Sequence, residues 1–212
     1  MKMKKFTMVM MIITVLVVGN AFAQFDLGAD AVSRYVWRGA GFGSSAAIQP
    51  GISYTAGSLE IGAWASYSLT TDSANGAEND LYISYSVGDL GLTITDYYFP
   101  EGGDAFNYSD KDGVHILEAS ASYPVGPVGL MLAYNFSGDA DNSMYVELGY
   151  DFYEADGVTA GLTLGAGDGF YAMEGDLTVV SIGLGVAKDN LSASYIVNPD
   201  TETNFLVFGY SF

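Results

Sequence analysis

From Phe25 onward the chain alternates with a period of two. Odd positions read Phe25, Leu27, Ala29, Ala31, Ser33, Tyr35 and Trp37, and even positions read Asp26, Gly28, Asp30, Val32, Arg34, Val36 and Arg38. Successive strand side chains point to opposite faces, so this pattern predicts a first strand with one apolar and one polar face. The same rule recurs in Leu59 to Leu69 and Leu81 to Val87, and no amphipathic helical pattern of three or four turns interrupts it. Further strands are predicted over about Ala46 to Tyr54, Leu90 to Phe99, Val114 to Tyr123, Val128 to Phe136, Met144 to Phe152, Val158 to Gly167, Asp176 to Ala187, Leu191 to Val197 and Asn204 to Phe212, which makes twelve. Pro50 lacks the N–H a ladder needs, so the second strand is expected to begin after it.

The connections alternate in length. Gly39 to Ser45, Thr70 to Asn79, Pro100 to Gly113, Ser137 to Ser143, Asp168 to Gly175 and Asn198 to Thr203 are long. Thr55 to Ser58, Gly88-Asp89, Pro124 to Pro127, Tyr153 to Gly157 and Lys188 to Asn190 are short and rich in turn-forming residues. An even number of antiparallel strands with short turns on one rim and longer loops on the other is the plan of an outer-membrane up-and-down β-barrel.

Face composition separates a barrel in lipid from a sandwich in water. Polar faces are rich in Gly, Ser and Thr, as in Thr159, Gly161, Thr163 and Gly165. Opposite faces carry Leu, Val, Ile and Ala, with aromatics towards the ends at Tyr35, Trp37, Tyr54, Tyr67, Tyr98, Tyr123, Tyr134, Tyr150 and Phe152. Aromatic girdles flanking an apolar band mark a membrane barrel. Asp96 is the single charge on these outward sets and reads as a bulge or a residue above the membrane. Closure is required, because an open sheet leaves unpaired backbone groups in hydrocarbon.

Lys2, Lys4 and Lys5, the apolar run Phe6 to Val18 and Ala21-Phe22-Ala23 form a secretory signal, with cleavage expected after Ala23. Thirteen apolar residues fall short of the roughly 20 that span a bilayer as a helix. The expected organisation is therefore signal 1–23 and barrel 24–212. Of the 7 basic residues the signal removes three, leaving Arg34, Arg38, Lys111 and Lys188 against 25 acidic ones. Such a chain has no basic face for nucleic acid. Without cysteine it has no disulfide or thiolate metal site.

Ser33-Arg34-Tyr35-Val36-Trp37-Arg38-Gly39 resembles the S-x-Y-x-x-R-G signature near the start of the TorF family of exported bacterial porin-type proteins. Gly62-Ala63-Trp64-Ala65-Ser66 and Tyr97-Tyr98-Phe99-Pro100 are similar to later stretches of that family. The resemblance implies an outer-membrane location and a pore-like role, and it transfers no site.

Eight strands give an interior just filled by side chains, and 16 to 18 leave a channel. With twelve strands, small inward residues and no apolar run in Pro100 to Gly113 to fold as a stopper, a narrow water-filled passage is expected. The candidate constriction is Arg34 and Arg38 facing Glu60, Asp80, Glu118 and Glu147, with Trp64, Tyr82 and Tyr145 as inward aromatic surfaces. Asp26, Asp30 and Asp151 are also expected to point inward. An internal ion-pair network bracing the wall is the competing role, because a confined charge is costly unless paired or hydrated.

Phe208, Tyr210 and Phe212 share one face of the last strand and resemble the signal read by the outer-membrane assembly machinery. Function is expected to be passive diffusion of small polar solutes or ions with an acidic, cation-favouring bias. The alternative is a closed structural or adhesive barrel whose acidic loops bind divalent cations, a partner or neighbouring lipopolysaccharide. His115 is the only imidazole available for catalysis, with Ser109 and Asp112 near it. Sequence neighbours on an extended strand seldom reach hydrogen-bonding geometry, so no enzyme, no metal site and no cofactor are expected.

Overall fold

The computed structural model describes residues 24–70, 77–109 and 113–212, so the signal segment lies outside the described residues. The strands are β1 (Gln24–Val32), β2 (Tyr35–Trp37), β3 (Ala40–Phe42), β4 (Ala47–Ala56), β5 (Leu59–Ser68), β6 (Ala77–Val87), β7 (Leu90–Tyr98), β8 (His115–Val125), β9 (Val128–Ser137), β10 (Met144–Ala155), β11 (Val158–Gly167), β12 (Thr178–Lys188), β13 (Leu191–Asn198) and β14 (Thr203–Ser211). Twelve of them, β1 and β4 to β14, form one closed antiparallel barrel in which each pairs with its sequence neighbours and β14 returns to β1. β2 and β3 form a separate two-stranded hairpin.

Alternation dictates the two surfaces. Leu27, Ile61, Leu81, Leu132 and Leu206 stand outward with half or more of their surface exposed. On the opposite face of the same sheet Gln49, Ser66, Thr95, Ser181 and Asn198 are buried inside the barrel. Two-residue turns join β4 to β5, β6 to β7, β8 to β9, β10 to β11 and β12 to β13, all on one rim. Asp156 and Gly157 both have positive φ, 53° and 75°, the conformation whose twist matches that of the flanking strands. The start of β1 and the end of β14 share this rim, where Phe25 pairs with Tyr54 and the Phe212 N–H donates to the Ala29 carbonyl at 2.9 Å.

Four expectations are corrected. β1 stops at Val32, and residues 35–42 turn into the lumen, so Tyr35 and Trp37 are buried inside instead of joining the outer girdle. Their large rings find aromatic partners inside that a lipid-facing position does not supply. The lumen thus contains a stopper, drawn from the first loop and not from the longest one. β4 runs through Pro50, and its ladder to β5 lapses between the Ile48–Tyr67 and Gly51–Trp64 pairs, where the missing N–H falls. Asp96 lies in unbroken register between Leu81 and Leu117 and is no bulge. It stays outward because His115 Nδ1 approaches its Oδ1 at 2.7 Å and Tyr108 Oη donates to its Oδ2 at 2.9 Å.

Candidate functional site: a hairpin latched across the lumen

β2 and β3 are the tip of the β1–β4 hairpin folded inward at Ser33-Arg34 and at residues 43–46. Arg38 and Gly39 form its two-residue turn, with φ of 48° and 81°. A type I′ turn needs positive φ at both central positions, which glycine adopts without strain. Gly39 is also pressed against the wall, since a Cβ there would lie 1.9 Å from the Val180 carbonyl oxygen. Asn198 Nδ2 donates to the Gly39 carbonyl at 3.3 Å. The tip therefore reaches from its base at β1 and β4 to β12 and β13.

Arg38 is the latch. Its Nη1 donates to Glu118 Oε2 at 2.5 Å and its Nη2 to Glu118 Oε1 at 3.0 Å, both groups being almost fully buried. Bidentate charge-assisted bonds of this kind combine strength with fixed orientation. The guanidinium carbon lies 4.4 Å from the Trp37 ring centre, 4.5 Å from Tyr145 and 5.2 Å from Tyr171. Rings that present their negative faces to a desolvated cation stabilise it further. Tyr171 Oη accepts from Arg38 Nη1 at 2.5 Å, and Tyr97 Oη donates to Glu118 Oε1 at 3.1 Å. Tyr171 reaches inward from the β11–β12 loop, where Gly169–Tyr171 form one 3-10 turn.

An aromatic layer surrounds the latch. Trp37 packs against Tyr97 with ring centres 5.3 Å apart, and Tyr35 against Trp64 at 5.5 Å. Phe42, Phe99 and Ile116 complete the cluster. Below it, towards the turn rim, small residues line the lumen beside the Glu60–Tyr82 pair, as Gly62 does against the Tyr82 ring. One cavity of about 90 Å³ lies between the hairpin base and β13–β14, bordered by Asp30, Arg34, Gln49, Ser194, Val207 and Gly209. A second of about 50 Å³ sits beneath the tip beside Arg38, Glu118, Thr93, Thr95 and Glu147.

The sequence-derived site residues divide into three groups. Arg38, Glu118 and Tyr145 meet at the latch, and Glu147 adjoins it, its Oε2 accepting from Tyr145 Oη at 2.9 Å. Glu60 and Tyr82 form a second pair nearer the turn rim, with Tyr82 Oη donating to Glu60 Oε1 at 2.9 Å and Thr55 Oγ1 to Oε2 at 3.2 Å. Arg34, Trp64 and Asp80 stand apart: Arg34 lies over the Phe205 ring at 5.5 Å, Trp64 supports Tyr35, and Asp80 is buried with its Oδ1 lacking a hydrogen-bond partner. Sequence reasoning misses Tyr35, Trp37, Tyr97 and Tyr171 as site residues. Arg38-Gly39, a turn-forming pair between aromatic-rich flanks, is the signal that could have found the hairpin.

His115 faces outward. Its Nε2 approaches the Ala105 carbonyl at 2.9 Å, and Tyr98 and Tyr108 stack on the ring at 4.8 and 3.9 Å. With Asp96 on the other nitrogen, neither nitrogen is turned to Ser109. Asp112 lies outside the described residues.

Loop carboxylates fasten the loops, Asp139 within its own and Asp168 and Asp200 to the neighbouring β10 start and β11–β12 loop. Asp139 accepts from Asn135 Nδ2 and from the Asp141 and Ser143 N–H groups, Asp168 from the Met144 N–H, and Asp200 from the Met173 N–H. At Asp139 burial opposes ionisation, but the hydrogen bonds outweigh it and hold the carboxyl below its ordinary range. A depressed folded-state value stabilises above the unfolded-state pKa, about 3.9, and that contribution disappears as pH falls through the lower folded value. Amide exchange of Ser143 is therefore expected to be unchanged from pH 7 to 5 after correction for intrinsic rates, and to lose protection only below about pH 4.

No family model and no curated protein matches the chain. Among solved structures, one from a study of in-meso crystallization of membrane proteins is 10% identical over 88% of this chain and 82% of that one, with a TM-score of 0.49. A mutant form of the Rh. blastica porin is 15% identical over 78% of this chain and 55% of that one, at 0.42. Salmonella typhi OmpF in complex with daunomycin is 10% identical over 89% and 97%, at 0.37.

Proposed function

We propose that this chain is an outer-membrane channel of the porin type, passing small polar solutes or ions through a lumen that the β2–β3 hairpin constricts. The observation that carries this is a closed barrel with an apolar exterior and a polar interior, crossed by a hairpin and not filled along its whole length. The TorF-like Ser33 to Gly39 motif supports the same role, because it coincides with the hairpin and its latch. Among the described residues, lumen carboxylates at Asp26, Asp30, Glu60 and Asp151 outnumber the one lumen cation not engaged by a carboxylate, Arg34, which favours cations.

Recording in planar bilayers across a salt gradient tests this. Expected are brief, small openings with a cation-selective reversal potential, and severalfold larger, steady conductance when residues 34–44 are replaced by a short Gly-Ser linker. A sealed bilayer with both proteins would refute a channel. The packed aromatic layer favours a second reading, a closed structural or adhesive barrel whose acidic loops bind cations or a partner, and the linker variant decides between the two.

The outward face provides an independent check. Ile83 lies mid-strand between Ile61 and Ile94 on the exterior. Ile83→Arg is expected to lower stability in lipid vesicles by about 2–4 kcal/mol, the cost of a cation on the lipid face near the bilayer midplane, measured by reversible urea unfolding. An effect near zero would place that face in water.

A further inference from the structure

We infer that the β2–β3 hairpin has a second seat, the free edge of β14, and that exchange between the two seats opens the lumen; this rests on the channel reading above. The barrel's last seam is its shortest. β1 pairs with β14 only through Asp30–Ser211, Ala31–Tyr210 and Val32–Gly209, whereas β13 pairs with β14 along eight rungs. One more contact follows, in which the Ser33 N–H donates to the Phe208 carbonyl at 2.8 Å and the Phe208 N–H to Ser33 Oγ at 2.9 Å. Above it the backbone groups of Leu206 and Asn204 on this side make no rung with β1 among the described residues. Unpaired strand edges bordering hydrocarbon are costly and recruit a strand where one is available.

The strand available is the one that leaves. Continuing the register places Tyr35 opposite Leu206, Trp37 opposite Asn204 and Arg38 opposite Thr203, where β14 ends. The free edge is thus as long as the departed segment. The alternation of Phe25 to Arg38 also fits this second position, with Tyr35 and Trp37 outward at the interface and Arg34 and Arg38 inward. The hairpin's apolar side meets rings in one seat and lipid in the other, so the exchange exposes little apolar surface to water. The cavity between the hairpin base and β13–β14 lies on the path between the seats.

The chain has no cysteine, so a Trp37→Cys, Asn204→Cys pair can trap the second seat. Directly opposed residues in a hydrogen-bonded antiparallel pair lie about 5.5 Å apart, within disulfide reach. In the lumen seat Trp37 is packed against Tyr97 and Tyr171 instead. Mild oxidation of the refolded variant in liposomes is expected to link the pair and raise mean conductance at least tenfold, with reductant restoring brief openings. Thiols that label readily but never link, or a linked barrel that conducts no more than the reduced one, would overturn the exchange.

Because Trp37→Cys removes a packed ring, a second measurement keeps the hairpin intact. In a Trp64→Phe background Trp37 is the only tryptophan. Brominated lipid is expected to quench a small fraction of its emission, and severalfold more after Glu118→Gln; no quenching in either overturns the exchange. If the linker variant conducts while trap and quenching both fail, the channel stands and the exchange falls. If the linker variant is sealed, the channel reading falls and the trap and quenching still report the two seats.

Discussion

Glu118→Ala is expected to convert brief openings into a conductance that is open most of the time. Removing one partner of a buried ion pair strands the other charge, at a cost of about 3–5 kcal/mol. Glu118 is the only carboxylate bonded to Arg38 among the described residues, and both lie at the floor of the aromatic layer. The penalty falls on the seated hairpin, because the wall strands are held by their own ladders. At about 1.4 kcal/mol per decade, the ratio of open to closed dwell should rise by roughly 10² to 4 × 10³. The gel-shift temperature of the folded barrel should move little by comparison. Combining Arg38→Met with Glu118→Leu removes both charges and keeps apolar volume, so closure should return. If Glu118→Ala lowers the unfolding temperature and leaves dwell times unchanged, the pair braces the wall and latches nothing.

Gly39→Val should have an effect of similar size by a different route. The added Cβ would fall on the Val180 carbonyl, and φ of 81° is strained for a β-branched residue. Neither obstacle yields without moving the β12 backbone, so the tip cannot reach Asn198 or bring Arg38 to Glu118. High conductance with an unchanged far-ultraviolet spectrum is expected, measured by bilayer recording and circular dichroism. Wild-type conductance would mean that the tip does not seat against β12. The two substitutions act on separate parts of the wall, β8 and β12, four strands apart around the barrel. Agreement between them would therefore report on the hairpin and not on either wall.

Period-two alternation determined the wall from sequence alone. A strand slipped by one residue would turn Leu81, Ile83 and Tyr85 inward and Asp80, Tyr82 and Ser84 outward, so the pattern admits one register. Loop lengths then set the order of pairing and put the start of β1 and the end of β14 on the turn rim. Inward placement of Glu60, Tyr82, Glu118, Tyr145 and Glu147 follows from the same parity.

Parity states which face a residue occupies and is silent on whether the strand stays in the wall. Residues 33–38 alternate as cleanly as those before them, and their departure depends on groups distant in sequence: Tyr97 and Glu118 on β7 and β8, and Tyr171 from a loop. Parity leaves the setting of Asp96 open for the same reason, since its partners His115 and Tyr108 come from the next strand and the loop before it. Local spacing encodes the β-strand because its period is a property of the backbone. The stopper is encoded only in the sum of distant contacts, which exists once the barrel has closed and brought Glu118 opposite Arg38.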